Sequence, residues 1–150
     1  MKAQHFAADI KNHKVKFNIQ SKKVLSTSVQ EMLRKAQTTQ PSVKVTGGSF
    51  EEGKIPVDTG YLVNSLVSEV DGSPVATGSD SYIIAANRAK VGQRLTFRWI
   101  AKYAKRIEFG FTGTDSAGRS YNQAGRFFVT RAIQAWPSIV RKNILKFGVK

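Results

Sequence analysis

The stretch Val67-Ser68-Glu69-Val70-Asp71-Gly72-Ser73-Pro74-Val75-Ala76-Thr77-Gly78 reads as two short strands, Val67–Val70 and Val75–Gly78, around a tight turn. The Asp-Gly pair supplies the positive φ angles that such a turn needs. Toward the N-terminus, from Ile19 to Gln37, apolar Ile19, Val24, Leu25, Val29, Met32, Leu33 and Ala36 recur at spacings of three and four. That pattern predicts an amphipathic helix with Lys22, Lys23, Arg34 and Lys35 on its wet side and Pro41 as its stop. Toward the C-terminus, Phe127, Phe128, Ala132, Ile133, Trp136, Val140, Ile144 and Phe147 form a second helical stripe, closed by Gly148. Pro137 lies inside it and is expected to kink it or to begin another helix. A hairpin between two amphipathic helices sets the expected fold class: α+β, one domain over residues 19–150, with a small antiparallel sheet packed against a long N-terminal helix and a C-terminal helix. Residues 1–18 are a basic N-terminal arm or a short first helix.

The intervening segments are less regular. Ser42 to Val57, rich in Gly, Glu and Pro, reads as a loop with one short strand at Val43–Val45. Asp58 or Thr59 is placed to cap a short helix from about Gly60 to Val67. Tyr82–Ala86 reads as a further strand. From Leu95 to Phe111 a period of two argues for strand, while Trp99, Ile100, Tyr103, Ala104 and Ile107 also fit one helical face. Thr112 to Gly125 reads as a long polar loop, the kind of segment that serves binding or assembly.

Composition narrows the function. The 150 residues hold 24 Lys and Arg against 10 Asp and Glu, a net charge of +14, and no Cys. Thiol catalysis, thiolate metal sites and disulfides are thereby excluded. Both histidines fall in the first thirteen residues, and no nucleophile elbow or phosphate-binding loop is present, so no enzyme is expected. Glu51-Glu52 reads as a solvated pair. His5, Asp9 and His13 would share a helical face, but Lys11, Lys14 and Lys16 surround them, so no metal and no cofactor is expected. The N-terminus lacks the apolar core of a secretory signal, and the least charged stretch, Val70 to Asn87, still contains Asp71 and Asp80; no membrane partner is expected. The charge concentrates in the first and last thirds, at +7 and +8, with −1 in the middle. Such a distribution suits nonspecific contact with a polyanion such as DNA, without reading bases. Arg131, Arg141 and Lys142, on the C-terminal stripe, are the candidate DNA-facing residues, with Arg126 beside them.

Two segments are more particular. The first runs Pro56-Val57-Asp58-Thr59-Gly60-Tyr61-Leu62-Val63-Asn64-Ser65-Leu66. The second runs Tyr103-Ala104-Lys105-Arg106-Ile107-Glu108-Phe109-Gly110, followed by Gly125-Arg126-Phe127-Phe128 and the last helix. In order and spacing they resemble the neck, or tail-completion, family of tailed bacteriophages, over roughly residues 19–145. The resemblance rests on Pro56, Asp58, Thr59, Gly60, Leu62 and Ser65, and on Tyr103, Ala104, Glu108, Phe109 and Gly110. It implies a structural virion protein of the head–tail neck, present in host cytoplasm during assembly. Such a protein forms a ring with itself between head-side connector or portal proteins and tail-terminator or tail-tube proteins, around the DNA path. Arg119, Tyr121 and Arg126 are then candidate interface residues of the polar loop. Read from the residues alone, Glu108 among Lys102, Lys105 and Arg106 is a buried ion pair, an inter-subunit one, or merely exposed. The competing expectation is a small basic protein that binds nucleic acid nonspecifically.

Overall fold

A computed structural model of the chain describes residues 3–148. No Gly or Pro occurs before Pro41, and the first helix uses that freedom: α1 runs from Ala3 to Ala36, 34 residues, with Arg34 and Lys35 in its last turn where the helix dipole favours cations. The segment expected to be a basic arm or a short first helix is thus the first half of one continuous helix. Residues 7–19 of it are all exposed, so no buried apolar stripe marks this half. The second half buries Val24, Val29, Leu33 and Ala36.

After α1 come β1 (Thr39–Pro41), a single turn of helix α2 (Val43–Thr46) and β2 (Ile55–Val57), with β1 and β2 paired in parallel. The strand expected at Val43–Val45 is therefore helical, and real strands flank it. α3 (Tyr61–Asn64) is one turn, shorter than expected, because β3 (Leu66–Val70) begins almost at once. β3 pairs with β4 (Ser73–Thr77) through the Asp71-Gly72 turn, where both residues have positive φ (50° and 81°) as a two-residue hairpin turn demands. On its other side β3 pairs antiparallel with β5 (Leu95–Trp99), giving the order β4-β3-β5. Pro74, which has no N–H to give, sits in the edge strand β4.

Tyr82–Ala86 is not a strand. It lies within α4 (Ser81–Arg88), which buries Ala85 and turns Tyr82 and Ala86 onto a core of Val29, Leu33 and Leu66. The ambiguous stretch after Leu95 resolves into both of its readings, β5 first and then α5 (Ala104–Phe109). The expected long loop is a hairpin, β6 (Gly110–Thr114) with β7 (Ser120–Ala124). Finally α6 (Phe128–Phe147) ends at Gly148, whose φ of 65° is the left-handed cap expected there. Pro137 does not divide α6. The carbonyl that loses its amide partner belongs to Ile133, itself 58% exposed, so water is at hand to replace that bond.

α6 runs antiparallel to the second half of α1. Gln20 donates to the Phe147 carbonyl (3.2 Å), Asn143 to Ser28 (3.0 Å, fully buried) and Lys142 to Glu31 (2.6 Å). A second core cluster of Ile55, Leu62, Ala101 and Phe128 lies under α3 and the start of α6, with Trp99 edge-on to Phe128 at 5.3 Å. Gln37 joins the pieces: its amide donates to the carbonyls of Val63 (2.8 Å) and Ser79 (2.9 Å) and accepts the Trp99 indole N–H (2.8 Å).

Candidate functional site

The two particular segments converge on one cleft of about 400 Å³, between the bend after β2 and the end of β7. That volume is at the small end of the roughly 300–1,000 Å³ usual for ligand sites. Pro56, Asp58, Thr59 and Gly60 form one wall, Tyr103 and Ile107 another. Tyr61 and Tyr103 meet at the rim, ring centroids 6.3 Å apart, and are 56% and 41% exposed.

Most of the motif residues are held in place by particular contacts. Gly60, at φ 81°, begins α3 in a conformation that side chains disfavour. Thr59 Oγ accepts the Tyr61 N–H at 3.3 Å. Asp58 does not cap the helix as expected; it takes an ion pair with Lys44 (2.8 Å), whose ammonium that hydrogen bond holds above its ordinary pKa. Leu62 enters the second core cluster. Ser65 Oγ donates to the Leu62 carbonyl (2.8 Å) and accepts the Ala101 N–H (3.3 Å), fastening α3 to the chain after β5.

In the second segment Ala104 packs against the same cluster and Phe109 is 62% exposed. Glu108 makes no ion pair among the described residues. Its carboxylate is buried and accepts three hydrogen bonds from the first turn of α6: Val129 N–H (2.9 Å), Thr130 N–H (2.8 Å) and Thr130 Oγ–H (2.6 Å). A carboxylate at a helix N-terminus satisfies donors that have no partner within the helix and meets the positive end of the dipole. Gly110 and Gly125 make this approach possible. A Cβ on Gly110 would lie 2.6 Å from the Gln123 carbonyl oxygen, and one on Gly125 would lie 2.6 Å from that of Glu108.

The expected interface residues separate. Arg119 and Tyr121 fold the hairpin tip onto itself: Asp115 Oδ1 accepts the amides of Ala117 and Arg119 (2.9 Å each). Its Oδ2 accepts Arg119 Nε–H (2.7 Å) and Tyr121 O–H (3.1 Å). These bonds, the Arg119 amide first, hold the Asp115 carboxyl below its ordinary pKa, and the Tyr121 hydroxyl is correspondingly raised. The expectation of an unstructured loop fails because one aspartate supplies the turn with its acceptors. Arg126 is not on the hairpin surface at all. It is 3% exposed, stacks its guanidinium 3.8 Å over the Phe50 ring and donates from Nη1 to the Ala124 carbonyl. Its Nε has no partner among the described residues, and burial pushes the guanidinium below its ordinary pKa. Ser42, also lining the cleft, has a buried hydroxyl in the same position. Neither residue's burial was readable from local sequence.

Of the candidate DNA-facing cations, Arg131 pairs with Glu52 and Lys142 with Glu31, lowering the Glu31 carboxyl. Arg141 is exposed with no ion pair among the described residues. The unpaired positive charge lies more on α1, where Lys11, Lys14, Lys16, Lys22 and Lys23 are exposed without an acidic partner among the described residues. Among those residues no three His, Asp or Glu side chains cluster as metal ligands would. Among the described residues no helix is long and apolar enough to cross a membrane. In comparisons with known proteins, no family model, no curated protein and no solved structure matches the chain.

Proposed function

We propose that the chain is a structural subunit of the tailed-phage neck, forming a ring that joins the head connector to the tail around the DNA path. The resemblance of its two motif segments suggests this role, and one observation favours assembly over a solitary existence. α1 overshoots the end of α6 by the length of residues 3–19, about 25 Å at 1.5 Å per residue. On that overhang Ile10, Val15, Phe17 and Ile19 are each at least half exposed. A lone domain gains nothing from holding such side chains in water, whereas a neighbouring subunit would cover them. The lysines between them suit a lumen through which DNA passes, or a nonspecific DNA-binding protein.

The Ile10→Ser, Phe17→Ser double variant tests the assembly reading. Because both side chains are exposed, its melting temperature should stay at the wild-type value. Complementation with it should yield unjoined heads and tails. Normal numbers of joined particles would contradict the role. The competing reading, a DNA binder acting alone, predicts that the purified chain binds duplex DNA with an affinity falling steeply with salt.

A further inference from the structure

The sheet β4-β3-β5 has two edges, and only one of them is guarded against further pairing. β4 carries Pro74, which offers no N–H, and its register with β3 is broken by a bulge at Ser68/Glu69. Both features discourage another strand from adding there. β5 has neither: Leu95-Thr96-Phe97-Arg98-Trp99 contains no Pro or Gly and runs against β3 without a shift. The backbone bonds at its two ends, from Asp71 N–H to the Arg94 carbonyl (2.8 Å) and from Ile100 N–H to the Ser65 carbonyl (3.1 Å), fix which residues face β3. They are Arg94, Thr96, Arg98 and Ile100. In an antiparallel pair the alternate residues turn both N–H and C=O the other way. Those of Leu95, Phe97 and Trp99 therefore point out of the sheet, and they have no backbone partner among the described residues. Beside this edge lie two adjoining hollows, of about 160 and 280 Å³, that share Trp99, Val129 and Ile133. The side chains of Leu95, Phe97 and Trp99 pack on the α1 core, so the hollows flank the strand on its helix-covered face. Ile133 in their common wall is 58% exposed, and Phe109 in the larger one 62%.

The geometry points to the β5 edge as a docking site for an extended segment of a partner protein, which adds to the sheet as a fourth strand. Its backbone pairs with Leu95, Phe97 and Trp99, and the side chains on one of its faces enter the hollows against Trp99, Val129 and Ile133. Side chains on a strand alternate between faces, so the segment is apolar at every second position. The positions between stand beside Thr96 and Arg98, with Arg94 in line just before β5, while the acids Glu69 and Asp71 lie one strand further off. Glu or Asp is the fitting residue there, since opposite charges on neighbouring strands attract. A second copy of β5 is the poorer occupant: its own Leu95, Phe97 and Trp99 are already committed to its α1 and cannot fill the hollows. The assignment concerns the sheet edge alone and holds whether or not the chain is a neck subunit.

The test is amide hydrogen exchange of the ¹⁵N-labelled full chain, first alone and then with peptide. In the free protein the amides of Leu95, Phe97 and Trp99 should exchange faster than those of Thr96 and Arg98; equal protection along β5 would overturn the open edge. The probe is the capped peptide acetyl-Gly-Glu-Val-Glu-Leu-Glu-Val-Gly-amide, which at millimolar concentration should slow those three amides saturably. A peptide of the same composition without alternation, acetyl-Gly-Val-Val-Leu-Glu-Glu-Glu-Gly-amide, should leave them unchanged, and the counterpart with Gln for each Glu should bind more weakly. The variant Ile133→Gln keeps a good helix former at an exposed position, so its melting temperature should match the wild type. The alternating peptide should bind it about tenfold more weakly, the loss expected when one large apolar side chain is no longer covered. No slowing by the alternating peptide, or equal slowing by the non-alternating one, would overturn the site. Equal binding of the Gln peptide would overturn the acidic assignment, and undiminished binding by Ile133→Gln would remove the hollows from it. A dimer of the free chain that protects the same three amides would overturn the partner segment in favour of a second copy.

Discussion

Replacing Glu108 by Gln isolates the charge that holds α6 to α5. The side chain keeps its length and one acceptor oxygen, but the second oxygen becomes an NH₂ facing donors that already point inward from Val129 and Thr130. The loss has two parts. Hydrogen bonds to a charged group contribute about 1.5–3 kcal/mol net, against about 1 for neutral ones. A partly buried charge at a helix terminus adds about 1–2 kcal/mol. Together Glu108→Gln should cost about 2–4 kcal/mol, a large share of the 5–15 kcal/mol that holds a typical domain. At about 2–4 °C per kcal/mol for a chain of this size, the melting temperature should fall by roughly 5–15 °C. The assay is a thermal melt followed by far-ultraviolet circular dichroism, with urea denaturation to check that the slope stays constant. A fall below about 2 °C would refute the reasoning, since Glu108 is the acceptor of both amides among the described residues.

Gly110→Ala and Gly125→Ala should each cost several kcal/mol and leave little folded protein, because the new Cβ meets backbone at 2.6 Å; Gly118→Ala, at φ 76° but in open space, should cost only about 1 kcal/mol, and comparing the three melts checks this. The carboxyl of Asp115 is depressed in the folded hairpin, so its contribution is present above the ordinary carboxylate pKa of about 3.9 and is lost as pH falls through the lower folded value; amide hydrogen exchange at Gly118 and Arg119 should accelerate in that acid window before exchange in β3 does. Deleting Asp115–Asn122 removes the turn and part of β7 from a hairpin that shares no core cluster, so the protein should stay soluble and folded while failing in head–tail joining; normal infectious particles from the deletion would contradict that role for the hairpin.

What the sequence made legible was local. The Asp71-Gly72 turn, the α1 stripe from Val24 to Ala36 and the α6 stripe closed by Gly148 each carry their signal within one or two turns of chain. α4 was misread because Tyr82-Ile83-Ile84-Ala85-Ala86 is a short apolar run that either period fits; packing on Leu33 and Leu66 decided it. The hairpin β6–β7 was missed because its strands are polar and largely exposed, so no apolar alternation marks them. The extent of α1 left no trace in the sequence pattern because residues 7–19 are exposed and form no buried apolar stripe. The two segments that the sequence singles out line one cleft, and several of their residues have partners other than those expected. Glu108 reaches 21 and 22 residues along the chain to its partners, and Arg126 is buried under Phe50, 76 positions earlier. Contacts of that range leave no periodic trace.

The neck assignment itself is tested most directly by locating the chain in the assembled phage. Particles carrying an N-terminal tag on this protein, labelled with gold and viewed by electron microscopy, should show the label at the head–tail junction and on no other part of the virion. Label over the capsid or along the tail, or particles free of it, would contradict the account.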